Sequence, residues 1–409
     1  MVNEDRLWLR IMELGEIGAQ GEGKGVTRFS FTEEERRAKE LVMHYMKEAG
    51  LSVREDAVGN LIGRREGEDP SLPVVLTGSH IDTVPHGGRF DGALGVLTAI
   101  EALQRMKEQG ITTLHPIEVV AFTDEEGSRF GFGMIGSRAL AGTLLPEHLL
   151  KTDENGLSIG QAMQETGYNP SKIREAARNA DHIKAYLELH IEQGKVLESA
   201  NLSVGVVSGI AGPLWLQFSL SGEAGHAGAT PMNMRKDPVP TAAEILLYIR
   251  NETIKYPNAV ATTGKMQLLP GGVNVIANRV VFTLDLRDIA IDIRNELEDK
   301  IRSHAEKVCK LSGIGLEILT LQRVKPAICS EEIMGVIEKA SQKAGQPYTK
   351  VVSGAGHDGM QFGNVCPIGM IFIRSHKGIS HNPLEWSSPE DCKAGAEVFY
   401  HAIQELAGH

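Results

Sequence analysis

Two hydrophobic textures divide the chain. In the first, near-continuous apolar runs such as Pro73-Val-Val-Leu-Thr77, Ile117-Glu-Val-Val-Ala-Phe-Thr123 and Ala185-Tyr-Leu-Glu-Leu-His190 predict buried strands, and each run stops at a polar cluster. Between them lie segments with apolar residues at helical spacing. Behind Thr32-Glu-Glu-Glu35, a capping-box sequence, Ala38, Leu41, Val42, Tyr45, Met46 and Ala49 mark one face up to Gly50, which leaves His44 on the surface. Ala93, Val96, Leu97, Ile100 and Leu103 do the same before Gly110. Short strands are expected around Val53 and over 58–63, and the polar stretch 144–179 is expected to be helical in pieces.

After Gly212 the texture becomes strict alternation, with Leu214, Leu216, Phe218 and Leu220 set against Trp215, Gln217, Ser219 and Ser221. A helix over 238–250 follows, with proline in its first turn, then strands near 259–269 and 279–287, a helix near 292–311 and a strand near 316–324. That order, β-α-β-β-α-β, is the split βαβ or ferredoxin-like arrangement. The first texture then resumes with a helix over 331–344, strands over 351–353 and 368–374, and a last helix opened by Ser388-Pro389-Glu390. We therefore expect an α/β fold: a first domain built on a mixed sheet from residues 1–211 and 328–409, interrupted by a ferredoxin-like domain over 212–327. At 409 residues the chain exceeds what one core usually supports, which agrees with two domains.

Composition narrows the partners. A net charge of −11 argues against nucleic acid and against an anionic membrane surface. No apolar run approaches the ~20 residues that span a bilayer, and the first ten residues lack the apolar core of a secretory signal. Cys309, Cys329, Cys366 and Cys392 lie far apart without a CxxC pair, so they read as reduced thiols in a cytoplasmic protein.

The candidate chemistry gathers where the apolar runs end. Gly78-Ser-His-Ile-Asp82 closes one strand, and a Gly-rich bend returns Asp91 just before the next helix, a strand-to-helix crossover of the kind that carries sites in open α/β sheets. Asp124-Glu125-Glu126 ends the second strand, His190 the third, and His381 follows the last. These imidazoles and carboxylates suffice for two divalent ions sharing a carboxylate and a water, and the donor types suit zinc, manganese, cobalt or nickel better than calcium or magnesium. One carboxylate must stay off the ions to carry a proton. Glu125 and Glu126, adjacent at a strand end, point in different directions and can divide the two tasks. Asp82, two residues from His80, faces the same side and can orient that ring.

Gly78-Ser-His-Ile-Asp82, Asp91-Gly92, Asp124-Glu-Glu-Gly127, Glu188-Leu-His-Ile-Glu-Gln-Gly194 and Ser380-His381 resemble the metal motifs of the dinuclear aminoacylase/carboxypeptidase (M20) metallohydrolases, and more narrowly their amidase/hydantoinase/carbamoylase branch. The resemblance runs through almost the whole chain. It is most specific in the close spacing of His80 and Asp91, and in His190, where family peptidases usually carry Asp or Glu. It implies that Asp91 bridges two ions, that His80 and His190 hold one and Glu126 and His381 the other, that Glu125 is the general base, and that Asp82 orients His80.

Further polar islands lie in the inserted domain: His226 in Gly222-Glu-Ala-Gly-His-Ala-Gly228, Asn274 after Gly271-Gly272, and Arg287 at a strand end. From spacing alone, Arg287 is as much a surface ion pair with Asp285 or Asp288 as a carboxylate binder. The resemblance implies that His226, Asn274 and Arg287 bind substrate and that Gln193 contacts a ureido group. It also implies that His226 acts across a homodimer, stabilising a developing oxyanion in the partner's site, and the strand over 214–221 is a candidate edge for that pairing. Gly354-Ala-Gly-His-Asp-Gly359 fits G-x-G-x-x-G, but no crossover helix or downstream acidic residue follows. It reads instead as a tight loop near the ions, whose backbone N–H groups, Gly356 included, reach a substrate carboxylate. The implied reaction is hydrolysis of an N-carbamoyl-L-amino acid to the amino acid, ammonia and carbon dioxide. Allantoate hydrolysis is the same-class alternative, aminoacylase or dipeptidase activity fits His190 less well, and a metal-free binding protein of the same fold is the alternative from another class.

Overall fold

The strands Ile117–Phe122, Val74–His80, Ile183–Ile191 and Ile368–Ile373 lie side by side and parallel at the centre of a mixed sheet. Leu61–Arg65 and Ser52–Glu55 extend it antiparallel on one side, and Val204–Ile210 does so on the other. The computed structural model describes residues 1–408 and divides into two units, Met1–Ser208 together with the chain from Ile328 onward, and Gly209–Ala327. In the first unit every residue of Val74–His80, Ile117–Phe122 and Ile368–Ile373 is buried, as parallel strands covered on both faces require. One core joins these strands to the helices Glu4–Glu16, Glu33–Glu48, Ala93–Glu108, Glu331–Lys343 and Pro389–Ala407, and a smaller one gathers Phe31, Phe130, Ile135, Ile159 and Met163.

Register decides where the site forms. His80 stands opposite Phe122 and His190 opposite Phe372, so the polar residues after these strands collect at one carboxyl edge. The register depends on Gly78, whose φ of +140° is open to glycine and whose added Cβ would lie 1.9 Å from the Val120 carbonyl oxygen.

Several elements differ from expectation for local reasons. An additional helix, Glu4–Glu16, is capped by Asn3, which accepts the Arg6 N–H, and buries Leu7, Ile11 and Leu14. The strand expected over 58–63 begins at Leu61, because Asp56 accepts the N–H groups of Val58 and Asn60 at 3.0 Å each and Gly59 turns at φ +90°. Only half of the capping box forms: Thr32 accepts the Glu35 N–H, but Glu35 reaches past Thr32 to the Phe31 N–H at 2.6 Å.

The second unit is an antiparallel sheet ordered Met266–Leu269, Arg279–Asp288, Gly212–Ser221, Gly315–Arg323, with Val260–Thr262 also paired to Arg279–Asp288. The helices Pro238–Thr253 and Ile291–Ser312 cover its apolar face. The alternating positions all point inward, and Phe218 and Phe282, directly opposite in register, stack with centroids 4.8 Å apart. One expectation needs correction. Gly212–Ser221 is no edge: it is hydrogen-bonded to a neighbour on each side, and the outer strand next to it is Gly315–Arg323, which exposes Leu319 and Leu321. Alternation reports which face is buried, and it is silent on strand order. Among the described residues no helix is long and apolar enough to cross a membrane.

Candidate metal centre

Asp91 sits among three imidazoles. Its Oδ1 lies 3.1 Å from His190 Nε2 and 3.7 Å from His80 Nε2, and its Oδ2 lies 3.2 Å from His381 Nε2. Two ligand groups share it: His80, Asp91 and His190 form one, and Asp91, Glu126 and His381 the other, each with donor atoms within 4.8 Å of one another. Glu126 Oε1 is 3.6 Å from His381 Nε2. Glu125 belongs to neither group, although its Oε2 reaches to 3.8 Å from His80 Nε2. All donors are nitrogen or carboxylate oxygen, all but His381 are largely buried, and His381 is half exposed on the open side. The donor set could hold two divalent ions, with Asp91 common to both groups.

The fold builds this arrangement from tight turns. Gly92 has φ +63°, and a Cβ there would lie 2.5 Å from the His80 ring, so only glycine lets the Ala93–Glu108 helix start against that ring. Asp124, Gln193 and His381 also turn through positive φ, which swings Glu125, Glu126 and the His381 ring away from the strand directions. Backbone carbonyls set the imidazoles: His80 Nδ1 donates to the Asp82 carbonyl at 3.0 Å and His190 Nδ1 to the Ile191 carbonyl at 2.9 Å, which frees both Nε2 atoms toward Asp91. The Asp82 carboxylate stands 3.6 Å from His80, and its oxygens accept the N–H groups of Glu125 and Glu126 at 3.1 Å each.

Electrostatics follow from this crowding. Burial would raise Asp91, but the imidazoles of His190, His381 and His80 outweigh it and hold the carboxylate well below its usual range. Glu125 is pushed well above its usual value by burial and then by Asp358, Glu126, Asp82 and Asp91, and Glu126 likewise by burial and by Asp91, Asp82 and Glu385. Carboxylates that repel one another in a buried cleft are relieved by cations.

Gln193 donates from Nε2 to Asp91 Oδ2 at 2.9 Å and to Ser380 Oγ at 3.1 Å, while its buried Oε1 has no partner. The Gly354–Gly359 loop lies beside the centre, with the His357 ring 4.4 Å from the His190 ring and held by Ser353 Oγ at 2.8 Å, and it leads into only the short helix Gly359–Phe362. Gly356 is in this loop, close to Met134. Sequence reasoning assigned no task to Glu188 and passed over His357 and Glu385. Glu188 accepts Ser79 Oγ, Tyr186 Oη and the Gly359 N–H, which braces the strands behind His80 and His190, and its place two residues before His190 was a usable signal. Glu188 and His357 also lie within ligand distance of His190, but both His190 nitrogens are already engaged, so they make no separate site. Glu385 follows His381 by four residues in a loop, where no periodicity marks it.

In the second unit, His226 and Asn274 come together. His226 pairs with Val275 in a two-stranded ladder, and the Ala227 N–H donates to the Asn274 carbonyl at 3.0 Å. His226 Nδ1 accepts the N–H groups of Gly228 and Ala229 at 3.1 and 3.3 Å, so the proton of the neutral ring sits on Nε2, on an exposed loop. Arg287 is at the far end of the Arg279–Asp288 strand, forked onto Asp285 with Nη2–Oδ2 at 2.7 Å.

Comparison with known proteins identifies the family. The profile of peptidase family M20/M25/M40 matches residues 76–405. The chain is 54% identical over 407 residues to an N-carbamoyl-L-amino acid amidohydrolase of Geobacillus stearothermophilus, covering 100% of this chain and 99% of that protein. It is 35% identical over 396 residues to an allantoate amidohydrolase of Bacillus subtilis (strain 168), covering 96% and 95%. Among solved structures, a hydantoinase/carbamoylase family amidase from Burkholderia multivorans matches with a TM-score of 0.94 at 35% identity, over 100% of this chain and 98% of that one. With its two ligand groups meeting at Asp91 and a family match over most of its length, this chain belongs to peptidase family M20/M25/M40.

Proposed function

We propose that this chain hydrolyses N-carbamoyl-L-amino acids with two divalent ions per subunit, held by His80, Asp91 and His190 and by Asp91, Glu126 and His381. The observation that carries the reading is the division of labour at Asp91: two N/O groups share it, and Glu125 stands 3.8 Å from His80 and within neither group. Zinc, manganese, cobalt and nickel all suit these donors. The ions would supply Lewis acidity to the ureido carbonyl and to the attacking water.

The chain's own groups do the rest. Glu125 takes a proton from the water as it adds to the ureido carbonyl, acting from a largely buried carboxylate 3.8 Å from His80 Nε2. It then delivers the proton to the departing amino nitrogen as the C–N bond breaks. The products are the L-amino acid and carbamate, which falls apart to ammonia and carbon dioxide. Asp82 fixes the Glu125 backbone through this exchange. Gln193 Oε1, buried without a partner, suits a ureido N–H, and backbone N–H groups around Gly356 suit the substrate carboxylate. Asn274 and Arg287 are assigned to the substrate as well, Arg287 exchanging Asp285 for a carboxylate.

His226 donates its Nε2 proton to the developing oxyanion of a partner subunit, so the active form is a homodimer joined through the inserted unit. Its exposed position and the tautomer set by Gly228 and Ala229 support that role. A cytoplasmic location agrees with four free cysteines, three of them buried.

Allantoate is the second reading, since an allantoate amidohydrolase is among the relatives, though at 35% identity against 54%. The deciding experiment measures kcat/KM for N-carbamoyl-L-methionine and for allantoate on metal-loaded protein. Preference for the carbamoyl amino acid is expected, and preference for allantoate would replace this reading with the second.

A further inference from the structure

We propose that Glu385 is a positioning residue that fixes Asp91 and His381 relative to each other and thereby sets the retention of the ion they share. The inference rests on the dinuclear reading above and extends it to a residue outside both ligand groups.

Glu385 is 4% exposed, and its carboxylate ties together segments almost three hundred residues apart. Oε1 accepts the N–H groups of Phe90 at 3.0 Å and Asp91 at 3.1 Å, which fixes the backbone from which the Asp91 carboxylate projects. Oε2 lies 2.8 Å from Ser380 Oγ, the residue immediately before His381. Ser380 Oγ is itself 3.2 Å from Asp91 Oδ2, so the same hydroxyl touches both carboxylates.

The surrounding chain is shaped to admit this group. A Cβ on Gly88 would lie 1.9 Å from Glu385 Oε1 and 2.1 Å from Cδ, so the carboxylate occupies the space that a side chain at position 88 would need. Without Glu385, two buried N–H groups lose their acceptor and the Ser380–His381 turn loses the shortest of its three side-chain contacts at Ser380 Oγ, those to Gln193 and Asp91 remaining. His381 is half exposed and enters from a loop, and Glu385 shares the task of holding it at 3.2 Å from Asp91 with Gln193, whose Nε2 donates to Asp91 Oδ2 and Ser380 Oγ. Partners of this kind, behind the ligands, typically set metal affinity within a factor of roughly 10–100.

The test is competition for Zn²⁺ against a chromophoric chelator, on purified, folded full-length protein, with circular dichroism as the check on fold. Glu385→Ala should release one of its two zinc ions at roughly 10–100-fold lower chelator strength than the unsubstituted protein. Glu385→Gln should stay close to the unsubstituted protein, because its amide oxygen accepts both N–H groups and its amide N–H₂ can donate to Ser380 Oγ. Gly88→Ala, which displaces the carboxylate without removing it, should reproduce the Glu385→Ala release. Full retention of both ions by Glu385→Ala overturns the proposal. Should Glu385→Ala not fold, full retention by Gly88→Ala overturns it equally. His381→Ala separates this inference from its foundation: if that variant keeps both ions, the ligand assignment itself fails, whatever Glu385 does.

Discussion

Glu125 and Glu126 are neighbours in sequence with different partners in space. Glu126 faces His381 and shares a ligand group with Asp91, whereas Glu125 turns toward His80 and stays outside both groups. Glu125→Gln preserves shape and removes the proton carrier, so kcat should fall ~10²–10⁴-fold while both ions remain. Glu126→Gln exchanges a charged ligand for a neutral one and should lose an ion. Atomic emission on the two variants, beside their kcat values, checks the division, and swapped phenotypes would mean that the two roles are reversed. Asp82 shows how far a single residue could be read in advance. Its nearness to His80 was legible from their spacing, although the strand ends at His80 and it is the Asp82 carbonyl, at 3.0 Å, that accepts the ring N–H. Its use was not, because the two N–H groups its carboxylate accepts lie more than forty residues away.

At the scale of elements, the centre depends on the register between Val74–His80 and Ile117–Phe122, and that register depends on Gly78. An alanine there would meet the Val120 carbonyl oxygen at 1.9 Å in a conformation that L side chains rarely adopt. The backbone term alone is worth ~1–3 kcal/mol, and relieving the clash requires the two strands to part. Gly78→Ala should therefore lower the urea midpoint of the first unit and weaken zinc retention together, since His80 is two residues on. Equilibrium unfolding and metal analysis of the same preparation measure both. Stability and metal content equal to the unsubstituted protein would show that the strands do not pair in this register. Near-continuous apolar runs marked these strands in the sequence because burial on both faces leaves a local signature. The Glu4–Glu16 helix had the same kind of signature in Leu7, Ile11 and Leu14, together with an Asn3 cap.

For the whole molecule, the decisive question is whether one subunit completes another's site. His226 lies in the unit formed by Gly209–Ala327, while every proposed metal ligand belongs to the other unit. Loss of an oxyanion donor costs ~10²–10³-fold in rate, so His226→Ala and Glu125→Gln should each be nearly inactive alone. In a mixed dimer, the site with an intact Glu125 belongs to the His226→Ala chain and receives its His226 from the Glu125→Gln chain. Random exchange makes about half of all dimers mixed, so activity should recover to roughly a quarter of the unsubstituted level. Mass spectrometry verifies the exchange. If mixed dimers form and activity stays at the level of the single variants, His226 does not act in trans.

The sequence by itself marked where the buried strands end, and hence His80, Glu125, Glu126 and His190 as candidates, with Asp91 and His381 in the loops that follow, because periodicity and strand termination are local properties of the chain. It also marked the change of texture near Gly212, since alternation for a sheet covered on one face differs from runs buried on both. The tertiary structure alone decided partnership. It made Gly212–Ser221 a central strand, forked Arg287 onto Asp285, turned Gln193 toward Asp91, and brought Glu385 to the N–H groups of Phe90 and Asp91. Except for the Arg287–Asp285 pair, where spacing left more than one partner open, these contacts join residues far apart in the chain. Their selection depends on strand order and loop closure, which no local pattern of apolar and polar positions records.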